Sequence, residues 1–234
     1  MTQPLEPQFI HQFIPATQPD PGITLLLLHG TGGNEQDLLP LGRELLPGAA
    51  LLSPRGRVLE NGMPRFFRRF EEGVFDVDDL KFQTHELNDF LKAAAEQYGV
   101  QKNKIVAVGY SNGANIAASL LLLHPHALAG AVLFRPMVPF TPDFSPNLGH
   151  TSLLLSGGMR DPIVPRDNTE ALAGIFTNFG ADTEMYWHRG GHELGQDDID
   201  AARQWLSRKS ALWQNRKQAA SRRGQEAAHE SITN

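Results

Sequence analysis

Five short apolar runs set the terms on which this chain can fold: Thr24–Leu28, Ala49–Leu52, Lys104–Val108, Ala131–Phe134 and Ser152–Leu155. Each is bounded by Gly, Pro, Ser or His and reads as a strand buried on both faces. Strands of that kind need cover on two sides, which is the condition of a parallel sheet enclosed by helices. The intervals supply the helices. Asp37 is a candidate N-cap, with Pro40 in the first turn of a helix reaching about Leu46. Val77–Tyr98 repeats Leu80, Thr84, Leu87 and Leu91 at helical spacing and meets a stop at Gly99. Asn112–Leu123 is nearly all small or apolar, and Asn168–Phe179 and Asp197–Trp213 follow. Thr183–His188 alternates more and reads as a strand nearer the edge; Gln8–Ile14 reads as an early antiparallel strand. The order predicts an α/β fold, a doubly wound and mostly parallel sheet with helices on both faces and right-handed crossovers.

Composition narrows the chemistry. The 234 residues fit one domain, expected over residues 1–213, and a basic tail over 214–234 expected as frayed helix or disorder. From Ser207 onward there are six Lys or Arg against two Glu. Cysteine is absent, which removes disulfides, thiolate nucleophiles, zinc ribbons and iron–sulfur clusters together. A net charge of −5 offers no general attraction to nucleic acid, and that partner is not expected. No apolar run approaches the roughly 18 residues of a membrane span. Met1–Ile10 lacks the charged start and apolar stretch of a signal peptide, so the expected location is cytoplasmic. A homodimer is left open.

Two stretches break the regular pattern. Pro54–Asp76 is rich in Gly, Pro, Arg and Phe, and Pro136–His150 is rich in Pro with Phe140 and Phe144. Both follow strands, and in a doubly wound sheet the loops at the carboxyl ends of strands form the ligand crevice.

The strongest chemical signal is Gly109-Tyr110-Ser111-Asn112-Gly113, set between a strand and a helix. A G-x-S-x-G in that context is a nucleophile elbow: flanking glycines give a tight turn the room to lift a serine hydroxyl above the sheet. A serine needs a base, and the elbow template orders Ser, then Asp or Glu, then His, each after a later strand. Asp161 follows the Ser152–Leu155 run and His192 follows Thr183–His188. A helix-capping serine, a turn aspartate before proline and a surface-turn histidine would each be adequate singly. The ordered trio favours chemistry, with His192 as general base and Asp161 orienting its imidazole. His29-Gly30-Thr31-Gly32-Gly33 follows the first apolar run, where Thr31 N–H and Asn112 N–H would form an oxyanion hole. That loop has neither G-x-G-x-x-G nor Gly-Lys-Ser/Thr, which argues against nucleotide binding. The pairs His188/His192 and His124/His126 lack a helical metal-ligand arrangement, so no metal and no cofactor are expected.

At these residues the chain resembles the phospholipase/carboxylesterase family of α/β-hydrolases, relatives of acyl-protein thioesterases. The likeness spans about Thr24–Leu206 and rests on LHGTGG, SPRG, GYSNGAN, GGMRDPIVP and GGHEL. Tyr110, Asn112, Ala114 and Thr31-Gly32 make it similar to a bacterial esterase branch. The resemblance implies the α/β-hydrolase fold without a separate cap domain, Ser111, Asp161 and His192 as a triad, and Thr31 and Asn112 as oxyanion donors. It implies a carboxylesterase of small to medium esters, with thioesters and lysophospholipids as further substrate classes. A hydrolase-fold sensor with little turnover is the alternative.

For the substrate pocket, some of Phe66, Phe67, Phe70, Phe75, Met137, Phe140 and Phe144 are candidate apolar walls, though pinning the loops to the core is an equal role for such residues. Arg135 is a candidate for receiving a substrate carboxylate or phosphate, with Arg55, Arg65, Arg68 and Arg69 nearby in sequence. Pairing with Glu71, Glu72 and Asp76 is the readier account of these arginines.

Overall fold

The run Thr24-Leu25-Leu26-Leu27-Leu28 has every side chain buried, and its two faces belong to different cores. Leu26 and Leu28 join one cluster, Leu25 and Leu27 the other. Period-two alternation thus sends successive leucines into two separate helical layers. The same division holds along the neighbouring strands, where Ala107 and Leu133 face one layer and Val106, Val108 and Val132 the other.

The structure, a computed structural model, describes residues 9–17, 22–211 and 213. Its main sheet contains β1 (His11–Ile14), β2 (Thr24–Leu28), β3 (Ala50–Pro54), β8 (Ile105–Tyr110), β9 (Gly130–Phe134), β10 (Ser152–Gly158) and β11 (Asp182–His188). Four short strands, β4 (Val58–Glu60), β5 (Met63–Arg65), β6 (Arg69–Glu71) and β7 (Val74–Phe75), make two small hairpins apart from it. The main order is β1-β3-β2-β8-β9-β10-β11, with β1 antiparallel to β3 and every other pairing parallel. This is the mostly parallel, helix-covered sheet that the apolar runs require. Helices α1 (Leu39–Leu45), α2 (Val77–Tyr98), α3 (Asn112–Leu123) and α4 (Arg166–Asn178) follow their strands or hairpins, and residues 196–211 form α5. Leu80, Leu87 and Leu91 of α2 and Leu172 and Phe176 of α4 fill the first core; Ala202, Trp205 and Leu206 of α5 fill the second. Among the described residues no helix is long and apolar enough to cross a membrane.

Several boundaries differ from expectation for identifiable reasons. Asp37 does not cap α1, because its carboxylate accepts from Asn34 N–H (3.1 Å) in the preceding turn; Leu38 occupies the cap position. Helix α4 starts at Arg166, two residues before Asn168, whose side chain accepts instead from Val138 N–H (2.8 Å). Pro54–Asp76 contains the two hairpins, whereas Pro136–His150 stays irregular. Helix α2 has the expected limits, with Asp76 capping Asp79 N–H (3.0 Å) and Gly99 in the left-handed region at φ 67°. Gln8 and the tail 214–234 lie outside the described residues.

At the carboxyl end of β2, His29 is 1% exposed and ties two loops together. Nδ1 lies 2.7 Å from Gly30 O, and Gly56 N–H donates to Nε2 (3.0 Å). Only the neutral ring with its proton on Nδ1 satisfies both bonds. Burial lowers its pKa from the ordinary value of about 6.5, opposed by the Gly30 bond. The unfolded chain therefore takes up a proton at a pH where the folded chain does not, so stability contributed here is complete above about pH 6.5 and is lost as pH falls toward the folded pKa. Urea unfolding of the wild type should show this acid-side loss, and His29→Gln should show a shallower decline over the same interval. An identical slope in the two proteins would remove His29 from the account.

Candidate active site

Strand β8 ends at Tyr110, and the next residue turns so sharply that Ser111 adopts φ 52° and ψ −112°. A non-glycine residue with positive φ is strained, and the surroundings must hold it there. The flanking glycines show how. A Cβ on Gly109 would stand 2.6 Å from Gly113 O, and one on Gly113 only 2.0 Å from Leu28 O. The turn thus rests directly on the backbone of β2, with no space for a methyl group on either side.

Ser111 stands partly exposed at the head of α3. Its Oγ lies 3.0 Å from His192 Nε2, and His192 Nδ1 lies 2.8 Å from Asp161 Oδ2. The other Asp161 oxygen accepts from Ile163 N–H (2.8 Å) and Val164 N–H (3.0 Å), and the carboxylate is fully buried. These three residues come from the loops after β8, β10 and β11, so folding alone brings them together. Thr31, from the loop after β2, and Asn112 border the same narrow cleft as Ser111 and His192, with a volume of about 30 Å³. Asn112 N–H belongs to the first turn of α3, where amides have no partner within the helix. Its side-chain oxygen accepts from Phe66 N–H (2.7 Å), fastening the hairpin segment to the elbow.

Other expected contacts are replaced. Phe66 and Phe67 are 1% and 0% exposed and belong to the core facing α2 and α3, so they do not wall the cleft. Phe70 projects at 75% exposure from β6, and Phe140 packs on the same core beneath Lys81 (5.1 Å to the ring centroid). Among the candidate apolar walls, Phe75 and Met137 border the cleft, joined by Ile163 and Val164. The last two stand two and three positions after Asp161 in GGMRDPIVP, and that proximity was the available signal.

Arg135 backs the cleft, but its guanidinium is wholly buried and already engaged. It pairs with Asp198 through Nη1 (2.9 Å) and Nη2 (2.8 Å), and it donates from Nε to Gly191 O (3.1 Å) and from Nη2 to Glu193 O (2.6 Å). It is therefore not placed to receive a substrate anion. Burial disfavours the Asp198 charge, yet bonds from Arg135 and Ser156 hold its carboxyl below the ordinary range. Tyr110 hydroxyl donates to His192 O (3.1 Å), and burial pushes that phenol up, which keeps its proton in place. Three successive carbonyls, at Gly191, His192 and Glu193, are thereby held by two side chains. Tyr110 and Arg135 thus hold the loop that carries His192, a role the sequence motifs did not show for either residue.

The remaining arginines pair nearby. Arg55 pairs with Glu35 (Nη2–Oε1 2.8 Å), Arg68 with Asp76 (3.0 Å), and Arg65 and Arg69 both with Glu60 (3.0 Å each). Only the Arg68 pair uses one of the acidic partners expected from sequence. Among the described residues, His188, Asp197 and Asp198 are the group close enough to hold a cation. Asp198 is already matched by Arg135, and Asp197 accepts from Tyr186 hydroxyl (3.1 Å). A larger cavity, about 380 Å³, opens beside Ile105 and His124, at the opposite end of β8 from Ser111.

Two substitutions separate these roles. Arg135→Met leaves Asp198 charged and buried without its partner, and urea unfolding should show a loss of roughly 3–5 kcal/mol. Gly113→Ala forces a methyl group onto Leu28 O and should cost about 3 kcal/mol or more by the same measurement. Wild-type stability in either variant would contradict the packing described.

The comparisons with known proteins agree with this architecture. The sequence model of the phospholipase/carboxylesterase family matches residues 11–210. The putative hydrolase MhqD of Bacillus subtilis (strain 168) is 50% identical over 181 residues, covering 77% of this chain and 90% of that protein. The Bacillus cereus carboxylesterase crystal structure is similar at a TM-score of 0.84 and 47% identity, covering 87% of this chain and 95% of that one. YahD, whose structure was determined with malic acid, is similar at a TM-score of 0.80 and 31% identity, covering 86% of this chain and 98% of that one. With its sheet, elbow and nearly full-length family match in accord, the chain belongs to the phospholipase/carboxylesterase family of α/β-hydrolases and is an enzyme of the esterase class.

Proposed function

We infer that this enzyme is a serine carboxylesterase that hydrolyses small carboxylic esters through an acyl-enzyme on Ser111. The observation that carries the reading is the continuous chain of contacts from Asp161 through His192 to Ser111, at 2.8 and 3.0 Å. Ser111 Oγ attacks the ester carbonyl carbon while His192 Nε2 accepts the hydroxyl proton. The carbonyl oxygen takes the negative charge, opposite Thr31 N–H and Asn112 N–H, and such donors act most strongly on charge that develops in the transition state. Collapse of the tetrahedral intermediate breaks the carbon–oxygen bond of the ester, and His192 returns the proton to the departing alcohol. Water then attacks the acyl-enzyme, giving its proton to His192, and the second collapse releases the acid and restores Ser111. Asp161 holds the Nδ1 proton and steadies the imidazolium through both halves.

The same steps would cleave a thioester, with a thiol leaving in place of the alcohol. A cleft of about 30 Å³ favours a short acyl group over the long chain of a lysophospholipid. The YahD structure was determined with malic acid, and a small acid of that kind is in keeping with a short substrate.

Ser111→Ala should lower kcat for p-nitrophenyl butyrate by roughly four to six orders of magnitude, with the folded state retained. A fluorophosphonate probe should label the wild type once per chain and leave the variant unlabelled. Labelling of the wild type with only one slow turnover of ester would favour a ligand sensor. Undiminished turnover in the variant would end the serine mechanism.

A further inference from the structure

The cleft beside Ser111 has one wall supplied by the hairpins after β3, and that wall carries two guanidinium groups. Arg65 and Arg69 both border the cleft. Their shared carboxylate is Glu60, which each approaches through Nε at 3.0 Å. Arg65 Nε–H donates to Phe67 O (3.2 Å) and Arg69 Nε–H to Glu60 (3.0 Å), so both Nε donors are used, while most of the terminal nitrogens are not. Arg65 Nη1 donates to Thr31 Oγ1 (2.7 Å), which places this guanidinium beside the loop of the first apolar strand. Among the described residues, none accepts a hydrogen bond from Arg65 Nη2 or from either terminal nitrogen of Arg69. Arg65 is 2% exposed, and its side chain borders the cleft. Burial pushes its guanidinium down from the ordinary range, and Arg69 adds repulsion that Glu60 opposes. Two fixed positive charges sharing one carboxylate form an arrangement that a further anion would relieve.

We propose that Arg65 and Arg69 form a carboxylate-binding subsite, and that the preferred substrates are short esters bearing a carboxylate in addition to the scissile ester. This rests on the serine-esterase reading for the scissile end but not for the binding of the anion. The guanidinium forks match a carboxylate geometrically, and their rigid planes would direct the other end of a short substrate toward Ser111. Glu72, exposed on the rim of the cleft, carries the opposing charge and weakens the attraction. Arg135 contributes nothing here, since Asp198 neutralises it within the protein.

A matched pair of substrates tests the subsite: p-nitrophenyl hemisuccinate and p-nitrophenyl butyrate have acyl chains of equal length and differ in a terminal carboxylate against a methyl group. The ratio of kcat/KM for the anionic ester to that for the neutral one should fall about tenfold or more in Arg69→Gln. It should rise in Glu72→Gln and fall in the wild type as salt is added. A ratio that stays within twofold in Arg69→Gln would overturn the proposal. Calorimetry with succinate on the Ser111→Ala protein supplies a readout without turnover: binding is expected there, with none to neutral succinamide, and it should weaken about tenfold when Arg69→Gln is added. Succinate bound equally with and without Arg69 would also overturn it. Hydrolysis surviving in Ser111→Ala alone, with succinate binding still dependent on Arg69, would sink the serine mechanism and leave the subsite standing.

Discussion

The close approach of Gly113 to Leu28 O is the constraint on which the site depends. Because no Cβ intervenes, α3 can begin immediately above the end of β2, and β8 can release Ser111 into a turn at φ 52° without leaving the sheet. The strain of that turn is spread over a rigid base: Leu25 to Leu28 and Val106 to Val108 are fully buried, with helices on both sides. A serine held this way has little freedom to relax into a helix cap. Its side chain does not cap α3 at all. The local conformation and the helical layers are therefore one structural fact, since the strained residue needs the packing to hold it in place.

Ser111 and His192 are joined by more than their mutual contact. Tyr110 precedes Ser111 and holds the carbonyl of His192, so the elbow reaches directly into the loop that carries the imidazole. Arg135, at the end of the neighbouring strand, takes the carbonyls on either side. Its own backbone sits at φ 56°, a further strained position at the strand end next to the one that Asp161 follows. Burying an arginine costs desolvation, and Asp198 offsets that only because Ser156 and Gly195 N–H complete its hydrogen bonds. The pair is better understood as a fixture for a loop than as a source of stability in its own right.

Much of this was legible in the chain itself. The five apolar runs and the helix limits Val77–Tyr98 are local signals, set by burial pattern, an aspartate cap and a glycine stop, and they appear where those signals lie. Ser111, Asp161 and His192 were readable because each follows a strand end in an order the topology dictates, and the structure brings them within contact. The pocket was not readable, because a phenylalanine in a loop is equally able to face substrate or core. Phe66 and Phe67 went inward because their segment is tied to Asn112 and packs on α2 and α3. Arg135 misled for a related reason: an arginine in a loop at a strand end suggests an anion, and its actual partner, Asp198, lies on the last helix and carries no motif. Glu60 as the shared partner of Arg65 and Arg69 likewise depends on how the two hairpins sit against each other.

That division has a consequence for how such an enzyme can change. The contacting Ser, His and Asp are mounted on the ends of parallel strands and fastened by Tyr110 and Arg135, whereas the wall bearing Arg65 and Arg69 is built from hairpins outside the main sheet. The hairpins meet the elbow and the first loop through a few defined contacts: Phe66 N–H to Asn112, Arg65 to Thr31, and Gly32 N–H to Pro64 O (2.9 Å). Replacing side chains at the tips of these hairpins would leave those contacts and both cores untouched. The charge and shape of the cleft can thus vary while the strained serine and its neighbours keep their geometry. Short hairpins outside the main sheet are, on this view, where selectivity is placed, and the sheet is where chemistry is kept.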